Sequence, residues 1–259
     1  MKNLIVIGDS FCLARGPEFP TSWVTQLGKS TNCKVFGAGI YGRSWWKQHE
    51  WYNLNLKDLP APKETAVVWC HTSAHRLPCE TEAEINPSVL RGNIEDLSKF
   101  NNSDPALFKL ARDFYQSPLY VEKFYVWAMT AWWRELAMIL APYKKVIHLF
   151  GFHDYGMADS DRLALVASNS VVVMTPSLGS LSKCDSKDFA YGHGDTRLNH
   201  LNEHNNHQLA VFVKNTLDNV GTNTTVEINN LDQWKFEIPF ESGLKHNYGF
   251  FIKDAQGIK

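Results

Sequence analysis

The sequence predicts an α/β fold built on a parallel sheet, and three observations carry that prediction. Short β-rich apolar runs alternate with longer amphipathic stretches over the first 220 residues. The runs Leu4–Ile7, Ala66–Cys70, Val146–Phe152 and Val171–Met174 all fall far below the ~20 residues of a membrane-spanning helix. A chain of 259 residues with 44% hydrophobic and 13% aromatic side chains can bury a sizeable single core and is not disordered.

In chain order, Leu4–Ile7 reads as a buried first strand ending at Gly8-Asp9-Ser10. Ser22–Leu27 reads as a helix with Trp23, Val24 and Leu27 on one face. Lys34-Val35-Phe36 is a short second strand running into Gly37-Ala38-Gly39-Ile40-Tyr41-Gly42. Thr65–Cys70, Lys145–Phe150 and Ser170–Met174 make strands three, four and five, and His204–Leu217 makes a final helix with Leu209, Val213 and Leu217 at near-helical spacing. The expected sheet is therefore five-stranded. About seventy residues separate strands three and four, more than an ordinary crossover needs. Within them Pro105–Leu140 is helical in pattern and crowded with aromatics, so residues 77–143 are expected to form a helical insertion that packs its own core, serves as a lid over the strand ends, or both. After Gly221 the texture changes, and 221–259 is expected to be a small β-rich appendage to an α/β domain of residues 1–220.

Lys plus Arg number 26 and Asp plus Glu 27, a net charge of −1, which gives no support to a nucleic-acid wrapper or a polybasic membrane-surface protein. The N-terminal residues show neither a signal-peptide core nor a cleavage site, and five scattered cysteines without a CxxC pair fit reduced thiols, so a cytoplasmic location is expected.

Chemistry concentrates at two places. Gly8-Asp9-Ser10 puts a serine at the carboxyl end of the first strand, where its hydroxyl is expected to be exposed and backbone N–H groups can bind an oxyanion. Near the far end, Gly192-His193-Gly194-Asp195-Thr196-Arg197-Leu198-Asn199-His200 offers the imidazole needed to deprotonate a serine and a carboxylate to orient the ring. His200 is placed as the base and Asp195 as its orienter.

These residues resemble the SGNH/GDSL hydrolase family over residues 1 to about 220. Gly8-Asp9-Ser10, followed by Ser22-Trp23 and Leu27, looks like the nucleophile block. Ala38-Gly39-Ile40-Tyr41-Gly42 is similar to the glycine block, which implies that the Gly39 N–H contributes to the oxyanion hole. Asn199-His200-Leu201-Asn202, followed by Leu209-Ala210, looks like the block that carries the catalytic histidine. The resemblance implies a flavodoxin-like three-layer sandwich and cofactor-free, metal-free hydrolysis of esters, often of acetylated sugars, lipids or thioesters. Two blocks depart from the pattern. His71-Thr72-Ser73-Ala74 stands where the family has Gly-x-Asn-Asp, so either Ser73, Thr72, His71 or Arg76 replaces an asparagine oxyanion donor whose loss costs ~10²–10³ in rate, or the enzyme is slow. Arg76 would favour anionic substrates. Arg197 stands three residues before His200, where the family has its aspartate, so either Asp195 or a backbone carbonyl orients the ring. The Thr72/Arg76 variant with an Asn-His-Leu-Asn ending is also similar to divergent members in tailed-phage genomes.

Other readings of the same residues are weaker. Gly37–Gly42 fits the dinucleotide pattern GxGxxG, but Trp45-Trp46 and a proline-rich stretch follow it, and Asp58 lies in no apparent strand. Gly28-Lys29-Ser30 lacks the first glycine of a phosphate loop. His193, His200, His204 and His207 cluster without HExxH order, and surface histidines explain His204 and His207 better than zinc does. The expectation is a serine esterase acting on a small-molecule or glycan ester, with a non-catalytic binding module or an acyltransferase as the alternatives.

Overall fold

The structure, a computed structural model, describes residues 1–13, 21–40, 43–79, 85, 90, 94–95, 104–152, 158–179, 181 and 201–234. Its strands are β1 (Asn3–Gly8), β2 (Lys34–Gly39), β3 (Thr65–His71), β4 (Lys145–Phe150), β5 (Ser170–Thr175) and β6 (Thr224–Glu227). Its helices are α1 (Trp23–Thr31), α2 (Trp45–Asn55), α3 (Pro105–Gln116), α4 (Glu122–Leu140), α5 (Asp159–Arg162) and α6 (Glu203–Asn219).

Successive side chains of a strand point to opposite faces, and β1, β3 and β4 are apolar at nearly every position, so both faces of the sheet demand cover. Leu4, Val6, Ala66, Val68, Cys70, Ile147 and Leu149 look to one side, where α1 and α6 supply Trp23, Val24, Leu27, Leu209, Val213 and Leu217. Ile5, Ile7, Val67, Trp69, Val146 and Phe150 look to the other, covered by Tyr52 of α2 and by Met129, Trp133, Leu136 and Leu140 of α4. The result is an α/β protein with helices on both faces of one all-parallel sheet, ordered β2-β1-β3-β4-β5-β6.

The sheet has six strands, one more than expected. Thr224–Glu227, expected in an appendage, pairs in parallel with β5, and Ile228 and Trp234 bury into the α1/α6 side of the core. Its alternating exposure marks it as the sheet edge, where only one face is covered. Residues 235–259 lie outside the described residues. α2 is a helix that the aromatic, asparagine-rich run 45–55 conceals in sequence. Its start is set locally by the Ser44 hydroxyl, which caps the Lys47 N–H at 3.3 Å.

The long segment between β3 and β4 divides in two. α4 is the crossover helix of the β3–β4 unit and lies on the sheet, while α3 builds a separate small cluster from Phe108, Ala111 and Tyr115 with Ile85. Among the described residues no helix is long and apolar enough to cross a membrane.

One contact orients α6. The Lys145 ammonium, at the first residue of β4, donates to the carbonyls of Thr216, Leu217 and Val220 at the end of the helix. The end of α6 therefore lies at the amino edge of the sheet, the helix runs antiparallel to the strands, and its first turn lies at the carboxyl edge. Asn169 does the same for α4, its side-chain amide donating to the carbonyls of Leu140, Ala141 and Tyr143. Replacing Lys145 by Met keeps the apolar stem and orphans carbonyls at a helix terminus. It is expected to lower stability by about 1–3 kcal/mol, read as a lower urea midpoint at unchanged slope.

Candidate active site

In this strand order β1 lies between β2 and β3, so the chain leaves the centre of the sheet in both directions, and the topological switch point, the crevice position at which open α/β sheets bind ligands, falls at the carboxyl ends of β1 and β3. Asp9-Ser10-Phe11-Cys12 enters it from β1. Ser10–Cys12 forms a single 3-10 turn, closed by the Cys12 N–H on the Asp9 carbonyl at 3.0 Å and capped by the Asp9 carboxylate, which accepts the Phe11 N–H at 3.1 Å. The end of β2 presses on this turn: a Cβ added at Gly39 would overlap the Asp9 carbonyl oxygen and crowd Cys12. Glycine at 39 is thus required by close backbone approach. Gly37, with φ of +79°, would overlap the Val6 carbonyl in the same way. Close packing of protein backbone therefore accounts for these two glycines without a bound dinucleotide.

Asp9 is fully buried and central. Its second carboxylate oxygen accepts the Thr72 hydroxyl at 2.9 Å and pairs with Arg76 Nη1 at 3.2 Å. Arg76 is 3% exposed, donates to the Arg43 carbonyl at 3.4 Å, and lies over the Phe152 ring 5.0 Å from its centroid. The crevice thus joins the ends of β1, β2, β3 and β4. Cys12 and Cys70 are neighbouring buried free thiols, and burial pushes both above the usual thiol range.

The structure brings Ser10, Gly39, Thr72 and Arg76 together around Asp9. Ser10 is 5% exposed, which corrects the expectation of an open hydroxyl: it opens a tight 3-10 turn whose flanking residues Asp9 and Cys12 are packed against the end of β2. Thr72 turns its hydroxyl proton to Asp9. Ser73 is half-buried, and its hydroxyl oxygen accepts the His75 N–H at 3.2 Å. Asp195, His200 and His193 lie outside the described residues. Their described neighbours do reach this edge: Leu201 packs in the core with Phe11, and Asn202 caps α6 through the Asn205 N–H at 2.7 Å. Asn206 accepts the Trp23 N–H at 2.9 Å while the Trp23 indole donates to the Phe11 carbonyl, so the start of α6 is two hydrogen bonds from the Ser10 turn. His204 bonds the Gln233 carbonyl and His207 the Gln26 amide, and no metal-holding group of three ligands stands among the described residues.

His71 does not serve the oxyanion position. Its ring points to the α2/α4 side, where the Trp133 indole donates to Nδ1 at 3.0 Å and Nε2 meets His148 Nδ1 at 3.0 Å. An indole nitrogen can only donate, so His71 carries its proton on Nε2 and gives it to His148, whose own proton sits on Nε2 with no hydrogen-bond partner among the described residues. Burial holds both rings neutral, His71 well below the ordinary imidazole range with help from His148 and Arg162, and His148 down to about 3. A second network in the loop after β3 joins His75 Nδ1 to the Tyr120 hydroxyl at 2.8 Å and the His75 carbonyl to the Tyr115 hydroxyl at 2.6 Å. Sequence reading missed both. The available signal was a histidine inside each of two otherwise apolar strand runs.

Because the unfolded chain binds protons on His71 and His148 below pH ~6.5 and the folded chain does not, stability is full above that pH. It falls with decreasing pH toward the depressed folded values. Each ring contributes about 1.4 kcal/mol per pH unit within that window. His148→Gln keeps an acceptor for His71 and removes one titrating group, so denaturation between pH 6 and 4 is expected to show a slope shallower by about that amount. An unchanged slope would refute the assignment. Gly39→Ala is expected to destabilise by about 3 kcal/mol, since the end of β2 can move only by displacing the Asp9 turn.

Comparison with protein-family models, with curated proteins and with solved structures finds no match to this chain.

Proposed function

We propose that the protein is a serine hydrolase of the SGNH type that cleaves an ester of a small molecule or sugar. The observation that carries this reading is the shared edge: the Ser10 turn leaves β1 at the carboxyl end of the switch-point crevice, and α6 runs antiparallel, so the chain enters it at Leu201, directly after His200, on that same edge. The order of the first five strands, 2-1-3-4-5, also agrees with a flavodoxin-like sheet, the architecture that the Gly8-Asp9-Ser10 resemblance implies.

In this reading the Ser10 hydroxyl oxygen attacks the ester carbonyl while His200 takes its proton, then returns it to the leaving alcohol. Water repeats the cycle on the acyl-enzyme. Asp195 orients the imidazole. The Ser10 and Gly39 N–H groups, with the Ser73 hydroxyl, stabilise the oxyanion. A serine in a water-poor crevice suits this chemistry, because fixed donors act more strongly where the dielectric is low. Tyr115 and Tyr120, which reach the loop after β3 at His75, support a role for the aromatic insertion in shaping the substrate side of the crevice.

A serine-directed phosphonate is expected to form an adduct on Ser10, identified by peptide mass. Ser10→Ala and His200→Ala are each expected to lower the turnover of short-chain aryl esters by about 10³-fold or more, with Asp195→Asn less severe. An unmodified Ser10 together with untouched esters would overturn the reading and leave a binding module on the same fold.

A further inference from the structure

Arg76 reaches the crevice from β3, yet its guanidinium is already committed. It is buried, lies on the Phe152 ring, and pairs with the buried Asp9 carboxylate that also holds the Thr72 hydroxyl and the Phe11 N–H. Phe152 in turn meets Phe11 edge-on at 5.5 Å. The ion pair therefore fastens the turn carrying Ser10 to the loop after β3 and to the end of β4. The Nη1 edge of Arg76 is held by Asp9 and by the Arg43 carbonyl, and turning that edge to a substrate anion would take this cationic partner away from the buried Asp9 carboxylate.

We infer that Arg76 is a positioning residue for Ser10, acting through Asp9: it holds the Ser10 turn in register with the end of β3 and cancels a buried negative charge beside the reacting hydroxyl. The inference rests on the reading of Ser10 as the nucleophile. A bare anion nearby disfavours the developing oxyanion, because it raises the cost of the negative charge that forms on the carbonyl oxygen. Cys12 and Cys70 add no charge there, since burial keeps both protonated. Charge cancellation and fastening are separable: removing both partners restores neutrality without restoring the tie.

The test measures the rate at which Ser10 is labelled by two probes, a neutral alkyl fluorophosphonate and one bearing a terminal carboxylate. The proteins are the full-length wild type, Arg76→Met, and Arg76→Met combined with Asp9→Asn, each checked for native circular dichroism. Arg76→Met is expected to slow both probes by the same factor, about 10²-fold. Adding Asp9→Asn is expected to recover about tenfold of that loss, because the uncompensated anion is gone. Because a bare buried carboxylate also destabilises the fold, the rates are compared under conditions where the urea midpoint of each variant shows it fully folded, so that a recovery reports charge at the reacting group and not refolding. A loss confined to the carboxylate-bearing probe would assign Arg76 to substrate and overturn the inference, as would a combined variant no faster than Arg76→Met. If Arg76→Met does not fold, Arg76→Lys replaces it: an equal slowing of both probes supports the inference, and an unequal one overturns it. A wild-type protein that is not labelled at Ser10 sinks the nucleophile reading and the inference with it, and is told apart from failure of the inference alone by that wild-type measurement.

Discussion

A carboxylate with no exposure to water must be compensated within the protein, and Asp9 sets that requirement at the one place where the sheet changes direction. Its two oxygens collect the Phe11 N–H, the Thr72 hydroxyl and the Arg76 guanidinium. These partners belong to β1's own turn and to the loop after β3, so satisfying one charge joins two segments more than sixty residues apart in sequence. Gly39 then decides how closely β2 can approach the same turn. The proposed nucleophile sits on the turn that these constraints hold in place.

The parallel sheet supplies the second constraint. Every strand-to-strand connection must cross back over a face, so each covering helix runs against the strands and returns its start to the carboxyl edge. Lys145 and Asn169 lock this arrangement from the amino edge by taking up the last carbonyls of α6 and α4. The first turns of those helices are then delivered beside the strand ends: the start of α6 near Phe11, and Glu122 of α4 near His75, 3.9 Å from its ring. Residues remote in sequence become neighbours because of direction alone.

On the α2/α4 face the core is not purely apolar. Trp133, His71 and His148 form a buried chain of donors and acceptors, flanked by Trp69, Trp132 and Phe150. Such a chain is favourable only while both rings stay neutral, so the layer that holds the end of β3 rigid near neutrality is also its point of weakness in acid. His71 directly precedes Thr72, which makes the network a support of the crevice from below.

Much of this was legible along the chain. Short apolar runs at Leu4–Ile7, Thr65–Cys70 and Lys145–Phe150 announce buried parallel strands, because strands covered on both faces are apolar throughout, and Gly8-Asp9-Ser10 announces a turn with a polar load at a strand end. What remained hidden depends on direction and depth. The run Thr224–Glu227 looks like any short polar-apolar alternation until β5 offers it an edge to pair with. Asp9 and Arg76 carry no local mark of burial, and the histidines His71 and His148, although they interrupt apolar strand runs, do not show along the chain that they pair with each other. Local pattern by itself determined the first five strands, the helices α1 and α6, their order along the chain and the serine-bearing turn. Tertiary structure alone decided which charges pair, which rings stay neutral and how deep Ser10 lies, because burial is set by what packs on a residue from distant parts of the chain.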